Sequence, residues 1–142
     1  LPIFEQLTCV NSTVNPAKKG GNPTELAITN YMQDCNFDIM QVRNKYKKLD
    51  DEPFSSSRKR MSTYSENEKG EKVMLIKGAS EIILECSSHI LDLDSEEGNL
   101  IDITKTERTD MEKAINDMAR QSLRTIGIAY KITNEFNKED KN

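Results

Sequence analysis

The stretch Arg60–Gly78, RMSTYSENEKGEKVMLIKG, decides the fold. RMSTYSE reads as a strand, NEKGE is a turn with glycine at position 70, and KVMLIKG returns as a continuous apolar run. Two such runs joined by a short glycine-bearing turn form an antiparallel hairpin. An unbroken apolar run in the second strand suits a strand covered on both faces, which calls for helices on each side of the sheet.

Working outward from the hairpin, ASEIILECSSHIL (79–91) reads as a helix, and LDLD (91–94) and NLIDI (99–103) as short strands around the turn SEEGN. Thr104 with Glu107 opens another helix by a capping box, and its stripe is Met111, Ile115 and Met118. RTIGIAYKI (124–132) alternates Ile126, Ile128, Tyr130 and Ile132 on one face of a final strand. On the N-terminal side, Ile3, Phe4, Leu7 and Val10 follow helical spacing, and NSTVNPAKKGGNP (11–23) concentrates loop residues. A second helix starts with Asn22 as N-cap, Pro23 at its first position and Glu25 as the returning arm of a capping box. Its apolar stripe is Ala27, Ile28, Tyr31, Met32 and Cys35. Phe37–Lys48 fits helix or strand. Hairpins joined by helices, without βαβ alternation, predict an α+β fold: a twisted, mainly antiparallel sheet flanked by helices on both sides. One domain is expected over 1–142, with a flexible tail from about 134 to 142.

Composition bounds the function. With 35% hydrophobic and 31% charged residues, the core must be assembled from amphipathic elements. Twenty Lys+Arg against 24 Asp+Glu give a net charge of −4, which opposes broad nucleic-acid binding. Cys9, Cys35 and Cys86 are far apart and odd in number, so neither a disulfide framework nor a CxxC metal site is expected. No apolar run reaches the ~20 residues of a membrane helix. The chain starts without Met inside an apolar pattern and ends in the polar NEFNKEDKN, as a segment cut from a longer protein would.

Four stretches carry candidate chemistry. FSSSRKRMS (54–62) sets Phe54 five residues before Lys59, either as one site for a ring and an anion or as a charged hairpin edge. It also sets Ser62 and Thr63 behind basic residues, so that 55–63 is alternatively a kinase-target or docking loop of a regulatory module. In IKGAS, Lys77 ends an apolar strand, Gly78 allows close backbone approach and a helix follows. Glu25 is a cap or a ligand-binding carboxylate, and Arg124 a strand-edge charge or a ligand-binding cation.

GNPTELAI, FSSSRKRMS, LIKGASEIIL and SLRTIGIAY occur in the order and approximate spacing found in one family. The chain resembles the nucleotide-binding domain of P-type cation-transporting ATPases, most closely the plasma-membrane calcium pumps, over nearly its whole length. The resemblance implies that Phe54 stacks on adenine, that Lys59 and Lys77 line the pocket, and that Gly78 gives the ring room. It further implies that Glu25 accepts from the adenine amino group, Arg124 reaches ribose and phosphates, Ile126 supplies an apolar wall, and Ser56 and Met61 belong to the same pocket. Ser56 departs from relatives that carry arginine there, which leaves that phosphate contact absent or supplied by Arg58 or Arg60. The phosphorylated-aspartate motif DKTGT is not in this sequence. The implied role is therefore binding of ATP or ADP, with Mg²⁺ only as the nucleotide's counter-ion, no metal site and no catalytic residue. The implied partners are the phosphorylation and actuator domains of a pump. The resemblance further implies a monomer on the cytosolic side of a membrane, with the plasma membrane as one candidate, and without direct membrane contact.

Overall fold

The computed structural model describes residues 2–12 and 22–138. The chain opens with a single turn, α1 (Pro2–Glu5), which continues as a π-helix over Gln6–Val10. It buries Cys9 and Val10. The side chains of Phe4 and Leu7, and most of the loop expected at 11–23, lie outside the described residues. Next come α2 (Pro23–Asp34) and α3 (Ile39–Lys45), then β1 (Lys47–Glu52), β2 (Arg60–Glu66) and β3 (Lys72–Ala79). They are followed by α4 (Ser80–Cys86), the short pair β4 (His89–Leu91) and β5 (Leu100–Asp102), α5 (Lys105–Arg120) and β6 (Ile126–Ile132).

The sheet has the order β1-β2-β3-β6 with every pair antiparallel, as the hairpin required. Gly70, at φ 78°, takes the left-handed turn position that favours glycine. One face of β3 (Val73, Leu75, Lys77) is fully buried, and the other (Met74, Ile76) is half-buried. The buried face packs Val73 and Leu75 with Met32 of α2, Ile39 and Val42 of α3, Cys9 and Val10, making one core. The opposite face carries α4, which seats Ile83 on Gly127 of β6.

Several expectations shift. The helix expected over 79–91 ends at Cys86, and His89–Leu91 pairs with Leu100–Asp102, so the small hairpin lies two to three residues earlier than LDLD on its first strand. Phe37–Lys48 divides into α3, capped by Asp38 accepting from the Gln41 amide, and the start of β1. The strand KKLDDE has almost no apolar pattern because it is an edge strand, exposed along most of its length. On α5 the capping box of Thr104 and Glu107 is present, but Met111, Ile115 and Met118 are only half-buried or exposed. Arg108 anchors that helix instead, donating to the carbonyls of Leu84 and Ser87. In the segment expected to be a flexible tail from about 134 to 142, two side chains, Phe136 and Lys138, contact the sheet. Phe136 stacks on Tyr64 at 5.3 Å between centroids, and Lys138 pairs with Asp50 at 2.8 Å.

A Cβ on Gly127 would lie 2.5 Å from that of Ile83. Gly127→Ala is therefore expected to cost about 1–3 kcal/mol by overpacking, read as a lower urea midpoint at unchanged slope.

Candidate functional site

β2 begins, β3 ends and β6 begins at the same end of the sheet, so cross-strand register gathers the quoted motifs there. Met61 is opposite Lys77 and Lys77 opposite Ile128; Arg60 is opposite Gly78 and Gly78 opposite Gly127; Ala79 is opposite Ile126. Met61, Lys77 and Ile128 share the face that carries α2, because directly paired residues project to one side.

Lys77 is 7% exposed. Its Nζ donates to Glu25 Oε1 at 2.8 Å and to the Asn11 carbonyl at 2.5 Å. Asn11 in turn accepts from Thr63 through Oδ1 at 2.8 Å. Glu25 is therefore not the arm of a capping box. Asn22 caps α2 alone by accepting from the Thr24 amide, and the Glu25 side chain turns inward to the lysine. Burial pulls the Lys77 ammonium below the usual lysine range, and the bond from Glu25 works against that pull.

This ion pair also rotates α2. Glu25, Thr29 and Met32 form its buried face, whereas Ala27, Tyr31 and Cys35 of the expected core stripe are exposed and Ile28 is half-buried. The displaced apolar residues are not wasted on solvent. Ala27, Ile28 and Tyr31, with Pro23 and Thr24, form one wall of a cleft of about 560 Å³ whose other wall is Arg124, Ile126 and Ile128. Sequence reasoning found Arg124 and Ile126 but missed Ile128 and the α2 wall. The signal was present as an apolar helical stripe, indistinguishable by periodicity from a core-facing one.

The loop 53–59 stands beside this end of the sheet. Lys59 has φ 56°, its amide donates to the Ser55 carbonyl at 2.7 Å, and its own carbonyl accepts from the Ala79 amide at 3.0 Å. A Cβ on Gly78 would lie 2.3 Å from that Lys59 oxygen and 2.7 Å from Arg60 Cα, so the glycine is required by the chain's own close approach. Phe54 is 59% exposed, and Ser56 and Lys59 are exposed with it. The structure thus joins Glu25, Lys77 and Met61 directly and Arg124 with Ile126 in the cleft. Phe54, Ser56 and Lys59 stand on the neighbouring loop, outside the cleft lining.

Both guanidiniums named as replacements for the arginine missing at Ser56 have protein partners. Arg58 pairs with Glu52 at 3.4 Å and donates to the Pro53 carbonyl, bracing the loop. Arg60 donates to Cys86 Sγ at 2.8 Å, towards α4. Ser62 and Thr63 are buried within β2, so the kinase-target reading fails at those two positions; Ser56 and Ser57 are the exposed hydroxyls of the loop. Among the described residues no cluster of His, Cys, Asp and Glu could hold a metal ion, and no helix is long and apolar enough to cross a membrane.

The family described as the P-type ATPase cytoplasmic domain N matches residues 3–142. This chain belongs to that family. It is 38% identical over 112 residues to the calcium-transporting ATPase PAT1 of Dictyostelium discoideum, covering 78% of this chain and 10% of that protein. It is 39% identical over 129 residues to the human plasma membrane calcium-transporting ATPase 4, covering 82% of this chain and 10% of that protein. A calcium-transporting ATPase of Bacillus subtilis is 29% identical over 111 residues. This N domain spans about a tenth of the length of the relatives it matches.

Glu25→Gln removes the carboxylate that holds the Lys77 charge in place. It is expected to lower stability by about 1.5–3 kcal/mol, the worth of a hydrogen bond to a charged group. It should also lower the Lys77 midpoint further, read from its ¹³Cε shift against pH. The linkage sign follows from the direction of the shift. An unfolded lysine keeps its proton to a higher pH than buried Lys77, so the folded state gains stability as pH rises from the depressed value to the ordinary one.

Proposed function

We propose that this N domain holds ATP by its adenine and presents the γ-phosphate to an aspartate in a separate phosphorylation domain of a calcium-transporting ATPase. The observation that carries the reading is the buried Lys77–Glu25 pair beside an apolar cleft whose lining includes Arg124. A cleft of about 560 Å³ with mostly apolar walls and few polar groups has the size and character of a small-molecule pocket. Membership in the N-domain family supports ATP as its occupant.

The residues divide the work. Ile126, with Met61 behind it, offers an apolar surface to the base, and Glu25 accepts from the adenine amino group. Lys77 complements the nucleotide's charge, and Arg124, exposed at the cleft, reaches ribose and phosphates. Phe54 closes from the loop and stacks on the ring, a contact worth about 1–3 kcal/mol; Lys59 adds charge beside it, and Gly78 keeps the loop close to the strands. Ser56 lies in this loop without contributing a cation. This chain's part in phosphoryl transfer is positioning and electrostatics, since the acceptor aspartate belongs to another domain. Mg²⁺ enters with the nucleotide, and the phosphorylation and actuator domains are the partners. The domain works at the cytosolic side of its membrane, which the names of several relatives suggest is the plasma membrane.

Affinity should be modest. A stack of about 1–3 kcal/mol and a few charge-assisted bonds of about 1.5–3 each must overcome an association cost of at least about 4, leaving binding nearer millimolar than nanomolar.

Amide NMR titration with ATP, ADP and GTP, with and without Mg²⁺, tests the reading. ATP is expected to shift Lys77, Arg124 and Ile126 with a Kd near millimolar. Phe54→Ala should weaken it about 5- to 150-fold, the range set by the stacking energy. The chain alone should release no phosphate from ATP. If adenine nucleotides leave those amides unmoved, the reading is wrong.

A further inference from the structure

A second cleft, of about 550 Å³, lies on the other side of the Lys77 knot, between the end of the π-helix, the C-terminal end of α3 and the start of β1. Among the described residues its lining carries three cations, Arg43, Lys47 and Lys48, and no carboxylate. Tyr46 and Asn44 complete the α3 side. None of these positions belongs to the nucleotide reading.

Arg43 is the informative residue. Its Nε donates to the Cys9 carbonyl at 2.7 Å, which fixes the guanidinium against the end of the π-helix. Its Nη2 is sealed from solvent and has no hydrogen-bond partner among the described residues. A buried donor left unsatisfied is costly, by an amount comparable to a hydrogen bond or more, and native interiors rarely tolerate it without a reason. Burial pulls the Arg43 guanidinium below its ordinary range, and the neighbouring Cys9 and Glu25 work against that pull. The charges of Arg43 and Lys48 also both act on Lys77, whose bonds among the described residues go to Glu25 and the Asn11 carbonyl. Lys48 pairs with Asp51 at 2.7 Å, and Glu5 and Glu68 act on Tyr46 from beyond the lining.

We propose that this cleft is a second anion site that takes a phosphate group, held by the charges of Arg43, Lys47 and Lys48 that line it, separately from whatever occupies the cleft at Arg124. A guanidinium's charge suits a phosphate even where its Nε is already committed to the Cys9 carbonyl. Lysines on two successive residues at the rim supply charge without demanding one geometry. The cleft communicates with Lys77 through three consecutive residues: the Cys9 carbonyl binds Arg43, Val10 lines the cleft, and the Asn11 carbonyl binds Lys77. A phosphate seated at Arg43 therefore bears on the strand end where the nucleotide reading places the base.

Pyrophosphate titrated into the intact chain in Mg²⁺-free buffer, followed by amide NMR, is the test. Sedimentation with phosphatidylcholine vesicles containing phosphatidic acid is the parallel arm for a lipid source. Saturable shifts at Asn44, Tyr46 and Lys47, weakened about tenfold in Arg43→Gln and several-fold in Lys47→Gln and retained in Phe54→Ala, support a soluble phosphate ligand. Co-sedimentation that is lost in both charge variants, with no pyrophosphate response, supports a lipid phosphate. Lys47 is exposed, so Lys47→Gln keeps the test valid if Arg43→Gln fails to fold. No response in either arm, or pyrophosphate shifts confined to Lys77, Arg124 and Phe54, overturns the proposal. An ATP titration that fails at the Arg124 cleft while pyrophosphate still shifts Tyr46 would separate failure of the nucleotide reading from failure of this one.

Discussion

A lysine buried at the end of a central strand must find partners, and in this domain that requirement organises the site. Lys77 takes its two bonds from elements far apart in sequence, Glu25 on α2 and the Asn11 carbonyl after the π-helix, while Asn11 reaches across to Thr63 on β2. Four segments are thus tied at one point beside an otherwise apolar core of Met32, Val73, Leu75 and Ile39. Removing a buried charge's partner costs far more than the pair itself contributes, so such a knot specifies geometry more than it adds stability. Its geometric product is the rotation of α2. With Glu25 turned inward, Thr29 and Met32 follow, and Ala27, Ile28 and Tyr31 are left to wall a cleft.

The two faces of the sheet solve different problems. The α2 face holds charge, cleft and core together. The α4 face depends on absent side chains: Gly127 lets Ile83 sit on β6, and Gly78 lets the Lys59–Arg60 backbone close on β3. Arg58 then locks the loop from within by pairing with Glu52. The loop that carries Phe54 is therefore braced at its base, while its aromatic tip remains at the surface.

Much of this was legible in the sequence, for reasons that differ by element. The hairpin at 60–79, the α5 capping box and the alternation of β6 are local signals, set by residues within one turn or one strand, and local signals survive folding. β1 was hidden because KKLDDE is an edge strand whose faces bury little, so no hydrophobic period marks it. The Glu25 cap and the α2 stripe were misread for one shared reason: both look complete locally, and only a lysine 52 residues away redirects them. Of the candidate site, the motif residues at the sheet end were found through family resemblance, whereas the cleft wall on α2, Ile128 and the cations at Arg43 depend on tertiary packing that spacing does not encode.

β1 is the outermost strand beside β2, and it carries Lys47, Lys48, Asp50 and Asp51, with a register shift between Lys48 and Asp50 and a cross-link from Lys138. A foreign strand approaching this border would meet charges of both signs on a ladder whose spacing is broken. Pairing would then bury ions and leave amides out of register. The strand that looks least like a strand in the sequence is thus one of the two that end the sheet. Along that border the sheet's backbone is kept from templating the assembly of neighbouring copies.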